Sequence, residues 1–82
     1  MHYRIFISAK ARDQIRALHK EDRRKIGWRM EKMRDDLQGD VKKLEGRKDR
    51  YRLRVGSFRV LFALEKEVIS VYAVKDRKEA YE

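Results

Sequence analysis

The chain reads as a small α+β domain of order β-α-α-β-β-β, with an N-terminal strand and a helical hairpin packed on a small antiparallel sheet. Three observations predict this. Residues 51–64 alternate apolar and polar positions around a central Gly-Ser, as a β-hairpin does. Residues 8–38 carry two apolar stripes at helical spacing. Residues 2–7 and 68–74 are short, β-branched and aromatic runs bounded by polar residues. With 82 residues and no linker-like tract, the expectation is a single domain over residues 1–82.

The first strand is expected over His2 to Ile7, with Tyr3, Ile5 and Ile7 on one face. Phe6 breaks the alternation, and a covering neighbour is expected for it. Ser8 is a good N-cap for a helix running to about Lys20, with Ala11, Ile15 and Leu18 as its buried stripe. A second helix is expected from Asp22 to about Gln38, with Ile26, Met30, Met33 and Leu37 on one side and Gly39 ending it. Residues 40–50 read as a polar connector, anchored by Val41 and Leu44 and turning at Gly46. In the hairpin, Tyr51, Leu53 and Val55 share a face, and Arg52 and Arg54 point the other way. Gly56-Ser57 suits a type II′ turn. The return strand puts Phe58, Val60, Phe62 and Leu64 on one face and Arg59, Leu61 and Ala63 on the other. Both faces are largely apolar, which suits a central strand. A tight connection at Glu65-Lys66 leads to a last strand, Val68 to Val74, and then a polar tail.

Charge is the strongest functional signal. The chain holds 23 Lys and Arg against 14 Asp and Glu, a net charge of +9. Six of those nine net charges fall between Lys42 and Arg59, where eight cations stand against Glu45 and Asp49. Such a segment favours a polyanionic partner and salt-sensitive binding. Residues 20–36 instead interleave both signs, as a solvated helix face does. Trp28 lies roughly 160–200° round the helix from Ile26 and Met30. It either rests on the aliphatic stems of neighbouring Arg and Lys or serves as a partner-binding contact.

The residue types exclude several chemistries. There is no cysteine and only two distant histidines, so no metal-ligand spacing exists and no cofactor is expected. Neither a Walker loop nor a Rossmann glycine pattern is present. The apolar start of the chain is too brief for a signal segment or a membrane span, and a cytoplasmic protein without a membrane partner is expected. What remains is a cationic groove with aromatics beside it, the footprint of single-stranded nucleic-acid binding. Lys42, Lys43, Arg47, Lys48 and Arg50 are candidates for docking on RNA or on an acidic protein. Arginines in such a groove can also stabilise a phosphorane. They stay protonated, however, so a general base is left unassigned.

The run K-K-L-E-G…Y-R-L-R-V-G-S-F-R-V-L-F, followed by a strand and V-K-D-R-K-E-A-Y, resembles the RelE/ParE superfamily of type II toxin–antitoxin toxins, the RelE-like branch above all. The resemblance spans essentially the whole chain. It implies a ribosome-dependent, metal-independent mRNA endoribonuclease that leaves a 2′,3′-cyclic phosphate and inhibits translation. It also implies a cognate antitoxin with an acidic binding segment, alongside ribosome and mRNA as partners. Position by position, Arg52 and Arg54 are implied to contact the mRNA phosphates around the scissile bond. Arg59 is implied to stabilise the transition-state phosphate, Arg77 to assist the leaving group, and Tyr81 to stack on or position the base. The alternative within the same superfamily is a ParE-like inhibitor of DNA gyrase without nuclease activity.

Overall fold

The computed structural model describes residues 2–46 and 48–76. Strand β1 (Arg4–Ile7) leads into helices α1 (Ala9–Arg16) and α2 (Lys20–Met33). Four strands follow: β2 (Asp40–Lys43), β3 (Arg50–Val55), β4 (Phe58–Glu65) and β5 (Val68–Asp76). They form one sheet in the order β1-β5-β4-β3-β2.

The α+β class, the leading strand and the helical pair are as expected, and two details of the sheet differ. First, β1 runs parallel to β5, in the register Ile5↔Ile69 and Ile7↔Val71, so the sheet is mixed rather than wholly antiparallel. The two helices carry the chain from β1 to β2 at the opposite edge of the sheet, and β3 and β4 bring it back to β5 beside β1. Second, the connector holds a strand. β2 pairs antiparallel with β3 through Val41↔Leu53 and Lys42↔Arg52. Val41 alone turns inward there, which is too little alternation to signal a strand.

The helices also shift slightly. Ser8 caps α1 as expected, its Oγ accepting from the Ala11 N–H at 3.1 Å. Helix α2 starts at Lys20, before Asp22, which joins Glu21 in an acidic first turn that suits the helix dipole. It ends at Met33, well before Gln38. Asp36 and Leu37 both take positive φ, 59° and 56°. The Tyr3 N–H donates to the Arg34 carbonyl at 2.8 Å, and His2 bridges to Asp35. The start of the chain thus takes up a carbonyl the helix end leaves open. Leu37 still reaches the core, but from a turn.

The core lies between the helices and one face of the sheet. Ala11, Ile26, Met30 and Met33 meet Leu53, Val55, Val60, Phe62, Ile69, Val71 and Val74. Tyr51 stacks on Phe62 with centroids 5.6 Å apart, adding directional packing to the buried area. Helix α1 packs on β5 and is tied there by Gln14, whose Oε1 accepts from the Val74 N–H at 2.7 Å. The Gly56 φ of 58° fits the expected type II′ hairpin turn.

Candidate functional site

The side of the sheet turned away from the helices is where the cations gather. In β3, Leu53 and Val55 enter the core, so Arg50, Arg52 and Arg54 take the other face. Register then fixes their neighbours. One row across the sheet reads Asp40 (β2), Arg54 (β3), Arg59 (β4), Lys75 (β5). The next reads Lys42, Arg52, Leu61, Ala73, and beyond it Arg50 stands opposite Ala63. Three cations therefore sit on three adjacent strands, about 5 Å apart at the backbone.

The members of this face differ in how they are held. Arg54 is exposed. Arg59 is half-buried and has an interaction of its own. Arg52 is held by Asp40: its Nη1 donates to the Asp40 carbonyl at 3.1 Å and to Oδ1 at 3.3 Å. Only 13% of the Arg52 side chain is exposed, so it is less available than the exposed Arg54. Lys75 was missed by sequence reasoning, which ended the last strand at Val74. Its signal is a register step from Ala73, visible only once the strand is known to continue.

The sequence-predicted residues fall into three groups. Arg52, Arg54 and Arg59 are brought together as expected. Lys42 sits on the same face at the β2 edge, Lys43 points to the opposite side, and Lys48 is exposed in the turn before β3. Arg47, Arg77 and Tyr81 lie outside the described residues. Arg50 reaches over to Tyr72, its guanidinium carbon 4.7 Å from the ring centroid.

Trp28 is 57% exposed, with the Lys32 Nζ 4.8 Å and the Arg29 guanidinium 5.6 Å from its ring centroid. Cations flank the ring, and most of it still meets solvent. Phe6, expected to be covered, is 62% exposed. It pairs with Ser70 on the cationic side of an edge strand, where the described residues provide no second layer.

The face can bind and neutralise phosphate. Guanidinium forks match phosphate oxygens in pairs, and a row of fixed cations stabilises charge that grows on them. Neither histidine contributes there. The His2 Nδ1 lies 3.0 Å from Asp35 Oδ1, and His19 precedes α2 at the joint between the helices. Among the described residues no group of three His, Cys, Asp or Glu is placed to hold a metal, and no helix is long and apolar enough to cross a membrane.

A mixed five-stranded sheet, with two helices on one side and a cationic row on the other, defines a compact α+β class of known architecture. It is the fold of the RelE toxins. The chain superposes on RelE from the Methanococcus jannaschii RelB–RelE antitoxin–toxin complex with a TM-score of 0.80, at 22% identity over 93% of this chain and 94% of that one. The archaeal RelE–RelB complex from Pyrococcus horikoshii matches at 0.77, with 28% identity over 94% and 97%. A mutant of E. coli toxin RelE in the free state matches at 0.81, with 20% identity over 99% and 90%. No family model and no curated protein sequence matches the chain. The resemblance first read from the arginine hairpin therefore holds at the level of the whole fold, on the RelE side of the superfamily.

Proposed function

We propose that the chain is the toxin of a type II toxin–antitoxin system and acts as a ribosome-dependent mRNA endoribonuclease. The observation that carries this is the row Arg54–Arg59–Lys75, flanked by Arg52, on the face of a RelE fold turned away from the helices. In the proposed reaction the 2′-oxygen of the mRNA attacks the adjacent phosphorus and the bond to the 5′-oxygen breaks. The products are a 2′,3′-cyclic phosphate and a 5′-hydroxyl, with one proton leaving the 2′-hydroxyl and one reaching the 5′-oxygen. Arg54 and Arg59 bind the scissile phosphate, and Arg59 carries the charge that builds on it. Arg52 assists from its seat on Asp40. Arg77 is assigned to the leaving group and Tyr81 to the base. The reaction needs no metal, because the nucleophile belongs to the substrate and the charge is met by guanidinium groups.

Lys42, Lys43, Arg47, Lys48 and Arg50 extend the positive surface toward ribosomal RNA or the antitoxin. The antitoxin is an acidic segment that neutralises this face, and Trp28 supplies a separate aromatic contact for a protein partner. The RelB–RelE complexes of matching fold support such a partnership. The test is purified chain with programmed ribosomes, reading cut positions within codons. Wild type is expected to cleave, and Arg59→Ala to slow cleavage about 100-fold or more, the scale of losing one charge-stabilising group. No cleavage by wild type, or equal cleavage by Arg59→Ala, overturns the nuclease reading. A parallel supercoiling assay decides the gyrase alternative, which draws no support from the structures matched.

A further inference from the structure

Tyr72 owes its position to a defect in the sheet. The register between β4 and β5 jumps from Leu61↔Ala73 to Phe62↔Val71, which leaves Tyr72 as the extra residue of a β-bulge. Val71 and Val74 both enter the core, whereas Ala73 pairs with Leu61 of the cationic face. The bulge thus sets two successive residues, Tyr72 and Ala73, on one side. Contact with Arg50, itself a residue of that face, places the Tyr72 ring there too.

Arg50 and Tyr72 belong to β3 and β5, with β4 between them. The Arg50 side chain crosses that strand at Ala63, a small residue directly opposite it. It ends with its guanidinium carbon 4.7 Å from the Tyr72 centroid, and both residues are half-buried. The ring holds the guanidinium from one side by cation–π attraction. Arg50 stands two register steps along β3 from Arg54, about 14 Å at strand rise. An exposed Phe6, paired with Ser70, continues the aromatic character toward β1. One end of the face is therefore fitted for phosphate and the other for a flat, polarisable group.

We propose that Arg50 seated on Tyr72 forms a nucleobase subsite. It stacks the base of a nucleotide flanking the phosphate held by Arg54, Arg59 and Lys75. Nucleobases stack on guanidinium planes and aromatic rings alike, and a guanidinium fixed in advance loses little freedom on binding. The proposal rests on the RNA reading above and adds to it a residue, Tyr72, that discriminates among RNA segments by stacking.

The test is an abasic scan. Short single-stranded oligoribonucleotides, blocked from cleavage by 2′-deoxy substitution, are given one abasic position at a time. Binding to the full chain is read by fluorescence anisotropy. Wild type is expected to lose about 5-fold or more in affinity at one flanking position. Tyr72→Leu, which changes no charge, is expected to abolish that positional penalty, and Tyr72→Phe to keep it. Arg50→Lys keeps the charge but not the plane and is expected to shrink the penalty, which guards against a folding defect in the Leu variant. If wild type binds and Arg54→Gln weakens it, but the scan is flat or unchanged in Tyr72→Leu and Arg50→Lys, the subsite is overturned and the RNA reading stands. If wild type binds no oligoribonucleotide and leaves mRNA on programmed ribosomes uncut, both fall together.

Discussion

Arg54 and Arg59 face each other across β3 and β4, and Lys75 extends the same row. Like charges directly opposite in a sheet weaken it, so the facing of Arg54 and Arg59 costs the fold stability that Asp40, on the other side of Arg54, offsets only in part. Arg54→Thr, with a β-favouring side chain and one charge fewer, is expected to raise stability by about 0.2–1 kcal/mol in urea unfolding. The same variant is expected to lose RNA affinity, so stability and binding move in opposite directions. Asp40 acts in the contrary sense, holding Arg52 in a contact that offsets its charge. Asp40→Asn removes the opposing charge while leaving the backbone contact to Arg52, and the log–log salt dependence of single-stranded RNA binding is expected to steepen by up to about 0.7. An unchanged slope would mean that Arg52 does not reach the phosphates. The hairpin arginines were legible from alternation alone. The restraint on Arg52 was not, because nothing in residues 40–43 marked them as the strand beside it.

At the scale of elements, the hairpin β3–β4 and the helix stripes were plain, since each rests on a strong period and a suitable turn or cap. Three features escaped for physical reasons. Leu37 continues the i, i+4 pattern of α2, so periodicity overran a helix end set by the Tyr3 contact with Arg34. A strand apolar on both faces, such as β5, hides a phase shift, so the bulge at Tyr72 left no trace in the pattern. Alternation also says which face a strand buries but not which neighbour it pairs with, and the parallel β1–β5 pairing was invisible. The turn between β4 and β5 carries its own prediction. Lys66 takes φ 54° there, a left-handed conformation that glycine adopts without penalty. Lys66→Gly is expected to raise stability by up to about 1 kcal/mol in thermal unfolding. Gly56→Ala, at φ 58° in the other hairpin turn, should lower it.

The whole molecule divides its labour between two faces of one sheet. The helices bury one face and supply the hydrophobic stabilisation, and no helix of the described residues covers the other, which carries a concentrated positive field. Binding of an acidic segment should therefore act on folding as well as on function. An antitoxin-like acidic peptide at 100 times its Kd is expected to stabilise the chain by about 2.7 kcal/mol. Added salt should erode that gain. A melting temperature indifferent to the peptide would argue against an acidic partner for this face.

The pairing of β1 with β5 has a consequence in time. Arg4 lies beside Val68, sixty-four residues further along the chain. Contacts of such separation form late, because a long loop must close before they repay its entropy. During synthesis β1 emerges first and waits for β5, the strand that bears Lys75 and Tyr72. A nascent chain thus acquires its complete phosphate row only once β5 has been made, so the chemistry proposed here is withheld until then.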